Sequence, residues 1–358
     1  MTLPSSKLKR GRGAGSNPDA RYLPTSREAY DDGWNNDDED IVPLKTSVTE
    51  ERPKTIINQN KSPDLPFDQS INPYRGCEHG CVYCYARPAH AYVDLSPGLD
   101  FESRLFSKPN AAELLRKELA RKAYRCSAIS LGANTDAYQP IERRLRITRA
   151  ILEVLAEFNH PVTIVSKSSL VERDIDLLAP MARAGLAQVF ISITSLDREL
   201  SRRMEPRAAA PQRRLQTLTS LADAGIPTGV MFAPVIPALN DAHLEDVLGA
   251  AATAGALHAG YVMLRLPHEV KGLFKEWLAE HYPLRAERVM GRVRDVRNGR
   301  ENDSTFGRRF KGTGQIAELI GQRFRRACRE HGLNLSRHEL NTEAFTPPKE
   351  LTPQLELF

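Results

Sequence analysis

The sequence predicts an α/β fold, a partial (βα)6 TIM-like barrel, and three observations carry that prediction. Between residues 70 and 281, short apolar runs alternate with longer segments of helical period. Glycine or proline punctuates many of these segments. The alternation repeats through six units, three-quarters of the eight in a closed barrel. It implies parallel strands, right-handed crossovers and helices outside the sheet.

The first strand is expected near Ser70–Tyr74, between prolines and a cysteine-rich loop. Asn110 with Glu113 three residues on reads as a capping box opening a helix over 111–124. A strand over Cys126–Leu131 follows, then a helix over Glu142–Phe158 in which Leu145, Ile151, Leu152 and Leu155 share a face. Pro161–Ser166 is the third strand, and Asp174–Ala184 a helix closed by Gly185. Val189, Ile191 and Ile193 give Gln188–Thr194 a strand period. Pro211 opens a helix that Gly225 ends. Thr228–Val235 is a strand, and Asp241–Ala254 a helix capped by Asp241 and stopped by Gly255. Tyr261–Leu266 and Val270–His281 complete the sixth unit.

The flanks differ from this core. Residues 1–60 are dominated by Gly, Pro, Asn, Ser and charge and are expected to be disordered. They include the acidic run 31–40. The core domain is expected over 61–285, a basic C-terminal extension over 286–345 and a tail over 346–358. The chain has 358 residues, 41% of them hydrophobic, with a net charge of +5, too mild a balance to assign a nucleic-acid partner by itself. Arginines concentrate in 285–329, and Arg308 and Arg309 interleave with Phe306 and Phe310, a combination suited to phosphates and stacked bases. The alternative is a solvated basic helix and loop. No stretch approaches the roughly 18 apolar residues of a membrane span.

Cys77, Cys81 and Cys84 follow the first strand at C-x3-C-x2-C spacing. An iron–sulfur cube normally takes four thiolates, so three leave one iron open for chemistry. Structural zinc is an alternative, with His79 or Cys126 as fourth ligand. It describes a metal-braced, zinc or iron–sulfur nucleic-acid-binding protein. An electron carrier is disfavoured, because carriers are small and use four cysteines. Five cysteines without an apolar leader argue against disulfides and for a reducing, cytoplasmic compartment.

In parallel barrels chemistry gathers where strands end. That rule selects 132–140, Ser166-Lys167-Ser168, Ser192, Thr194, Asp197, 233–237 with Asn240, and Arg265. Asp136 and Asp197 also suit helix capping.

The cysteine run resembles the cluster loop of radical S-adenosylmethionine (SAM) enzymes. The resemblance implies a [4Fe-4S] cluster on Cys77, Cys81 and Cys84. It also implies SAM chelated by the unique iron and reductive cleavage to a 5′-deoxyadenosyl radical. Tyr83 takes the place of the aromatic residue beside adenine. Asn134, Thr135 and Asp136 stand where the family contacts the methionine amino group, in place of the usual Gly-Gly-Glu. Lys167 is expected on the SAM carboxylate, Ser192 and Thr194 on the ribose or carboxylate, and Pro234 with Val235 at the adenine.

Four further segments resemble the spore photoproduct lyase-like branch, and within it an uncharacterised bacterial group. They are Asn72-Pro73-Tyr74-Arg75-Gly76-Cys77, Thr135–Glu142, Thr163–Ser168 and Glu205-Pro206-Arg207. The branch implies an electron donor such as flavodoxin or ferredoxin, and DNA or RNA as substrate. It also raises Cys126 as a thiol that returns a hydrogen atom, against the alternative of a cysteine filling the core. Cys328 is expected to be structural.

Overall fold

The computed structural model describes residues 12–23, 44–336 and 339–347. The first strands are β1 (Ser47–Glu50), β2 (Asn58–Gln59), β3 (Gln69–Ile71) and β4 (Tyr74–Arg75). Then come α1 (Leu99–Ser103), β5 (Arg104–Ser107), α2 (Ala111–Leu119), β6 (Ile129–Leu131), α3 (Glu142–Leu145) and α4 (Ile147–Glu157). The chain continues through β7 (Val162–Ser166), α5 (Ile175–Arg183), β8 (Ala187–Ser192), α6 (Arg198–Met204) and α7 (Pro211–Asp223). It ends with β9 (Thr228–Val235), α8 (Leu244–Thr253), β10 (His258–Met263), α9 (Val270–His281), α10 (Ala286–Asp295) and α11 (Gly314–Glu330).

The main sheet runs β10-β9-β8-β7-β6-β3-β2. Its six strands from β3 to β10 are mutually parallel, and β2 adds an antiparallel edge. Strand order follows chain order, so each crossover carries a helical segment between neighbouring strands, as the alternation predicts. A second sheet, β1-β5-β4, lies beside the cysteine loop. Ile71, Ile129, Leu131, Ile164, Val189, Ile191, Val230 and Phe232 are fully buried and form the centre of the main core with the helices.

The helix ends follow local chemistry. Gly185, Gly225 and Gly255 adopt φ of 73°, 76° and 92°, the left-handed region that ends a helix. Other boundaries are corrected by tertiary contacts. Asn110 makes no cap bond; its Nδ2 donates to the Pro53 carbonyl at 3.4 Å, and α2 stops at Leu119. The helix expected over 142–158 breaks at Arg146, whose φ is 54°. The helix expected over 174–184 forms as α5, and Asp174 ahead of it accepts from Tyr138, Arg149 and Arg173. The last strand lies earlier than expected, because His258–Tyr261 pair with Gly229–Phe232 and the register shifts before Met263. The capping expected of Asp197 is found at α6, where its carboxylate accepts from the Glu199 and Leu200 amides.

The disorder expected over 1–60 is not found at residues 12–23 and 44–60, which pack on the core. The Glu102 carboxylate accepts from the Gly13 and Ala14 amides at 2.9 and 2.8 Å. Arg12 donates to the carbonyls of Glu102 and Leu44, both at 2.6 Å. This strap continues through Ser16, whose carbonyl accepts from the Leu99 amide, to Arg21, paired with Glu269 of the turn before α9. The acidic run 31–40 lies outside the described residues. Among the described residues no helix is long and apolar enough to cross a membrane.

Candidate active site at the cysteine loop

The loop from Gly76 to Tyr85 leaves β4 and is held from four sides. Gly76, at φ 77°, turns under Leu105 and His90 where a Cβ would collide. Buried Gln139 donates to the Gly76 carbonyl at 3.0 Å and accepts from the Glu78 amide at 2.9 Å. Arg87, fully buried, donates to the carbonyls of Gly80, Cys81, Pro97 and Gly98 and pairs with the equally buried Glu102. Gly13 lies so close that a Cβ there would stand 1.7 Å from the Gly80 oxygen. A buried ion pair is costly to desolvate, but here every donor has an acceptor, which is the condition for holding one geometry.

Cys77 and Cys81 are buried and Cys84 is half-buried, and all three are free thiols. Burial pushes the Cys77 thiol well above its usual range, and Asp136, Cys81 and Cys84 add to the effect. Burial raises Cys81 to about 12, with Glu205 and Cys84 in the same direction and Lys167 and Arg214 opposed. Two buried thiols whose ionisation is disfavoured need a cationic group beside them to become thiolates. A cube of irons meets that need and gives each thiolate its own iron. Among the described residues no three His, Cys, Asp or Glu side chains converge as one metal ion would require. His79 turns to Asp136, 3.3 Å away.

The strand ends close over this loop. Asp136 accepts from Ser166 Oγ, the Lys167 amide, the Tyr138 amide and His79, so each of its four acceptor positions is in use. Burial alone would raise its pKa, but His79 and the amides prevail and bring it to about 2. Asp136 therefore ties the cysteine loop to the ends of β6 and β7 and has no free acceptor for a ligand. Thr135 donates to the Tyr74 carbonyl at 2.9 Å. Asn134 is exposed at the mouth, with its backbone amide on Asn72.

Tyr83 is buried and donates to Glu205, which also accepts from Thr194 at 3.1 Å and pairs with the buried Arg214. Burial works to raise the Glu205 pKa, yet Arg214, Lys167 and Tyr83 lower it. The Lys167 ammonium lies 5.9 Å from the Tyr83 ring centroid. Ser192 bonds the Ala233 carbonyl at 3.3 Å, and Asn240 bonds the carbonyls of Thr194 and Pro234 at 2.8 and 2.9 Å. The structure thus gathers Tyr83, Asn134, Thr135, Asp136, Lys167, Ser192, Thr194 and Pro234 around the loop end of the sheet. It does not bring Cys126 there. Cys126 sits ahead of β6 beside Tyr124, whose hydroxyl bonds Gln69 and His160 at the strand starts, so it faces the other end of the sheet. Cys328 is buried on α11.

Residues 71–251 match the family model described as the radical SAM superfamily. The chain belongs to that superfamily. Its relatives include an uncharacterised protein of Mycobacterium tuberculosis, 41% identical over 229 residues that cover 63% of this chain and 67% of the relative. An uncharacterised protein of Methanocaldococcus jannaschii is 28% identical over 241 residues, 67% and 85% of the two chains. Among solved structures, a spore photoproduct lyase variant superposes with a TM-score of 0.58 at 15% identity, covering 80% of each chain. Another spore photoproduct lyase variant, with bound AdoMet and dinucleoside spore photoproduct, gives 0.55 at 16% identity over the same share. These last two establish a shared α/β fold. As a radical SAM enzyme the chain takes a [4Fe-4S] cluster and SAM as its cofactors.

The residues missed from sequence are the ones that hold the loop: Glu102, Arg87, Gln139 and Glu205. Gln139 and Glu205 lay within noted segments, but neither spacing nor neighbours signalled their bonds to the loop.

Proposed function

We propose that this protein cleaves SAM reductively at a cluster held by Cys77, Cys81 and Cys84, and that the radical formed takes a hydrogen atom from a nucleic-acid substrate. The observation that carries the reading is the set of three free thiols on one loop beside Tyr83 and Lys167 at the ends of parallel strands. The chemistry supplied by the bound cofactors is one-electron cleavage of the sulfonium to methionine and a 5′-deoxyadenosyl radical.

The chain's own residues do the rest. Lys167 supplies the positive charge for the methionine carboxylate. The Tyr83 ring, fixed by its bond to Glu205, forms one wall of the adenine pocket, and the backbone around Pro234 forms another. Asn134 offers its exposed amide to the amino group. Ser192 and Thr194 brace β8 against β9 and Glu205 at the ribose side. Asp136 positions the loop, and Cys126 has no part in the hydrogen transfer.

We read the six parallel strands as an open partial barrel within a core of 61–285, with 286–345 as the extension across its seam. Five free thiols suit the reducing cytoplasm, where a flavodoxin or ferredoxin would supply the electron. The nucleic-acid assignment draws on the fold shared with spore photoproduct lyase. The test is anaerobic reconstitution of the wild type and Cys84→Ala, with iron and sulfide analysis and electron paramagnetic resonance. A reduced-cluster signal that SAM perturbs in the wild type and that Cys84→Ala lacks is the expected result. Retention of one zinc per chain would overturn the reading in favour of a metal-braced binding protein.

A further inference from the structure

A cation near the loop has no ion-pair partner among the described residues. Arg265 follows β10, and its guanidinium lies 5.3 Å from the Tyr85 ring centroid and 5.1 Å from that of Phe310. Phe310 also faces Arg309 at 4.6 Å, and Arg309 faces Phe306 at 4.7 Å. Rings and guanidinium groups therefore alternate from Tyr85, the neighbour of Cys84, outward to Phe306. The two end rings, Tyr85 and Phe306, are 45% and 55% exposed.

The two arginines differ in their partners. Arg309 is neutralised by Asp64, whose oxygens accept at 2.8 and 2.6 Å. Arg265 has ring faces but no carboxylate or carbonyl, and its Nε is buried without a hydrogen-bond partner. Arg297 also has an orphaned Nε, yet its other nitrogens reach the carbonyls of Met263, Leu264, Arg308 and Arg309. It is thereby explained as the pin that fixes the extension to the end of β10. Arg265 pins nothing by hydrogen bonding. Aromatic faces replace only part of the hydration a guanidinium loses, so an anion at Arg265 would be strongly favoured.

Several arginines of the basic extension are paired with nearby carboxylates. Arg292 pairs with Asp295, Arg294 with Glu301, Arg308 with Asp303 and Arg326 with Glu330. What sets Arg265 apart from the other unpaired arginines is its place between ring faces, one of them the exposed Tyr85 next to Cys84.

We propose that Arg265 and Tyr85 form the receiving site for one nucleotide of a single-stranded nucleic acid, with a phosphate on the Arg265 guanidinium and a base against the exposed side of the Tyr85 ring. A peptide carboxylate would satisfy the charge and leave the ring unused. The inference rests on the function above only in placing the bound nucleotide beside Cys84.

The test uses reconstituted protein, handled anaerobically, and a fluorescein-labelled single strand of about 12 nucleotides. Fluorescence anisotropy is read against salt for the wild type, Arg265→Gln and Arg265→Lys. Iron content and SAM binding, measured on the same samples, establish that each variant is folded and loaded. Arg265→Gln is expected to weaken binding about tenfold and to lower the slope of log affinity against log salt by about one. Arg265→Lys is expected to keep the slope and lose part of the affinity. Unchanged affinity and slope in Arg265→Gln would overturn the site. So would a poly-glutamate peptide of equal charge binding as tightly as the oligonucleotide. Arg265-dependent binding in a protein that forms no 5′-deoxyadenosine supports the site while the cluster reading fails.

Discussion

Asp136 has all four acceptor positions occupied, and this sets what its removal does. Asp136→Asn loses an acceptor oxygen and with it at least one of the donors that face the carboxylate. We expect a loss of about 1–3 kcal/mol in chemical denaturation at neutral pH, with lower iron retention. Its pKa is depressed from the ordinary 3.8 to about 2. The carboxylate's contribution is therefore whole above the ordinary value and is lost as pH falls toward 2. The gap between wild type and Asp136→Asn should narrow accordingly; a gap that widens in acid would contradict the assignment. Glu205→Ala strands the buried Arg214 cation, and breaking such a pair costs about 3–5 kcal/mol. Tyr83→Phe removes one hydrogen bond to the same carboxylate and should cost about 1–2 kcal/mol by the same measurement. A larger loss in Tyr83→Phe than in Glu205→Ala would show that the carboxylate serves something other than this network. The cysteines were legible because metal-ligand spacing is local. Glu205 and Asp136 were not legible in these roles, because their partners arrive from other strands.

At the scale of elements, the strand–helix alternation was readable wherever apolar period and terminal glycine agreed, as at Gly185, Gly225 and Gly255. It misled where a distant group captured the boundary residue, as Pro53 captures Asn110. The strap of residues 12–23 gave no signal, since its order comes from backbone amides bound by the remote Glu102 and not from its own apolar residues. Gly13→Ala should displace it, because the added carbon meets the Gly80 oxygen. Limited trypsinolysis at Arg12 and Arg21 is expected to accelerate in that variant; an unchanged cleavage rate would mean that the strap does not depend on the contact. The strand starts carry a second testable feature. His160 is buried between Tyr124 and the Pro161 carbonyl, and burial lowers its pKa to about 4. It is neutral when folded, so protonation of the unfolded chain draws stability away as pH falls from about 6.5 to 4, by about 3 kcal/mol in all. His160→Gln should flatten the stability profile across that window, and a profile as steep as wild type would assign the acid sensitivity elsewhere.

For the whole molecule, the parallel sheet presents its loop ends to one face, and the three cysteines, Tyr83 and Lys167 meet there. The extension joins the other side of that face through Arg297 and the rings around Arg265. Composition foretold a basic extension but not its internal pairing, which depends on tertiary partners such as Asp64. The central claim is that this face cleaves SAM. The direct measurement is 5′-deoxyadenosine formed by the reconstituted protein with dithionite and SAM, anaerobically, with Cys81→Ala beside it. The account predicts product from the wild type, with or without an oligonucleotide, and none from Cys81→Ala. Equal product from both proteins, or none from a wild type shown to hold its cluster and bind SAM with oligonucleotide present, would contradict it.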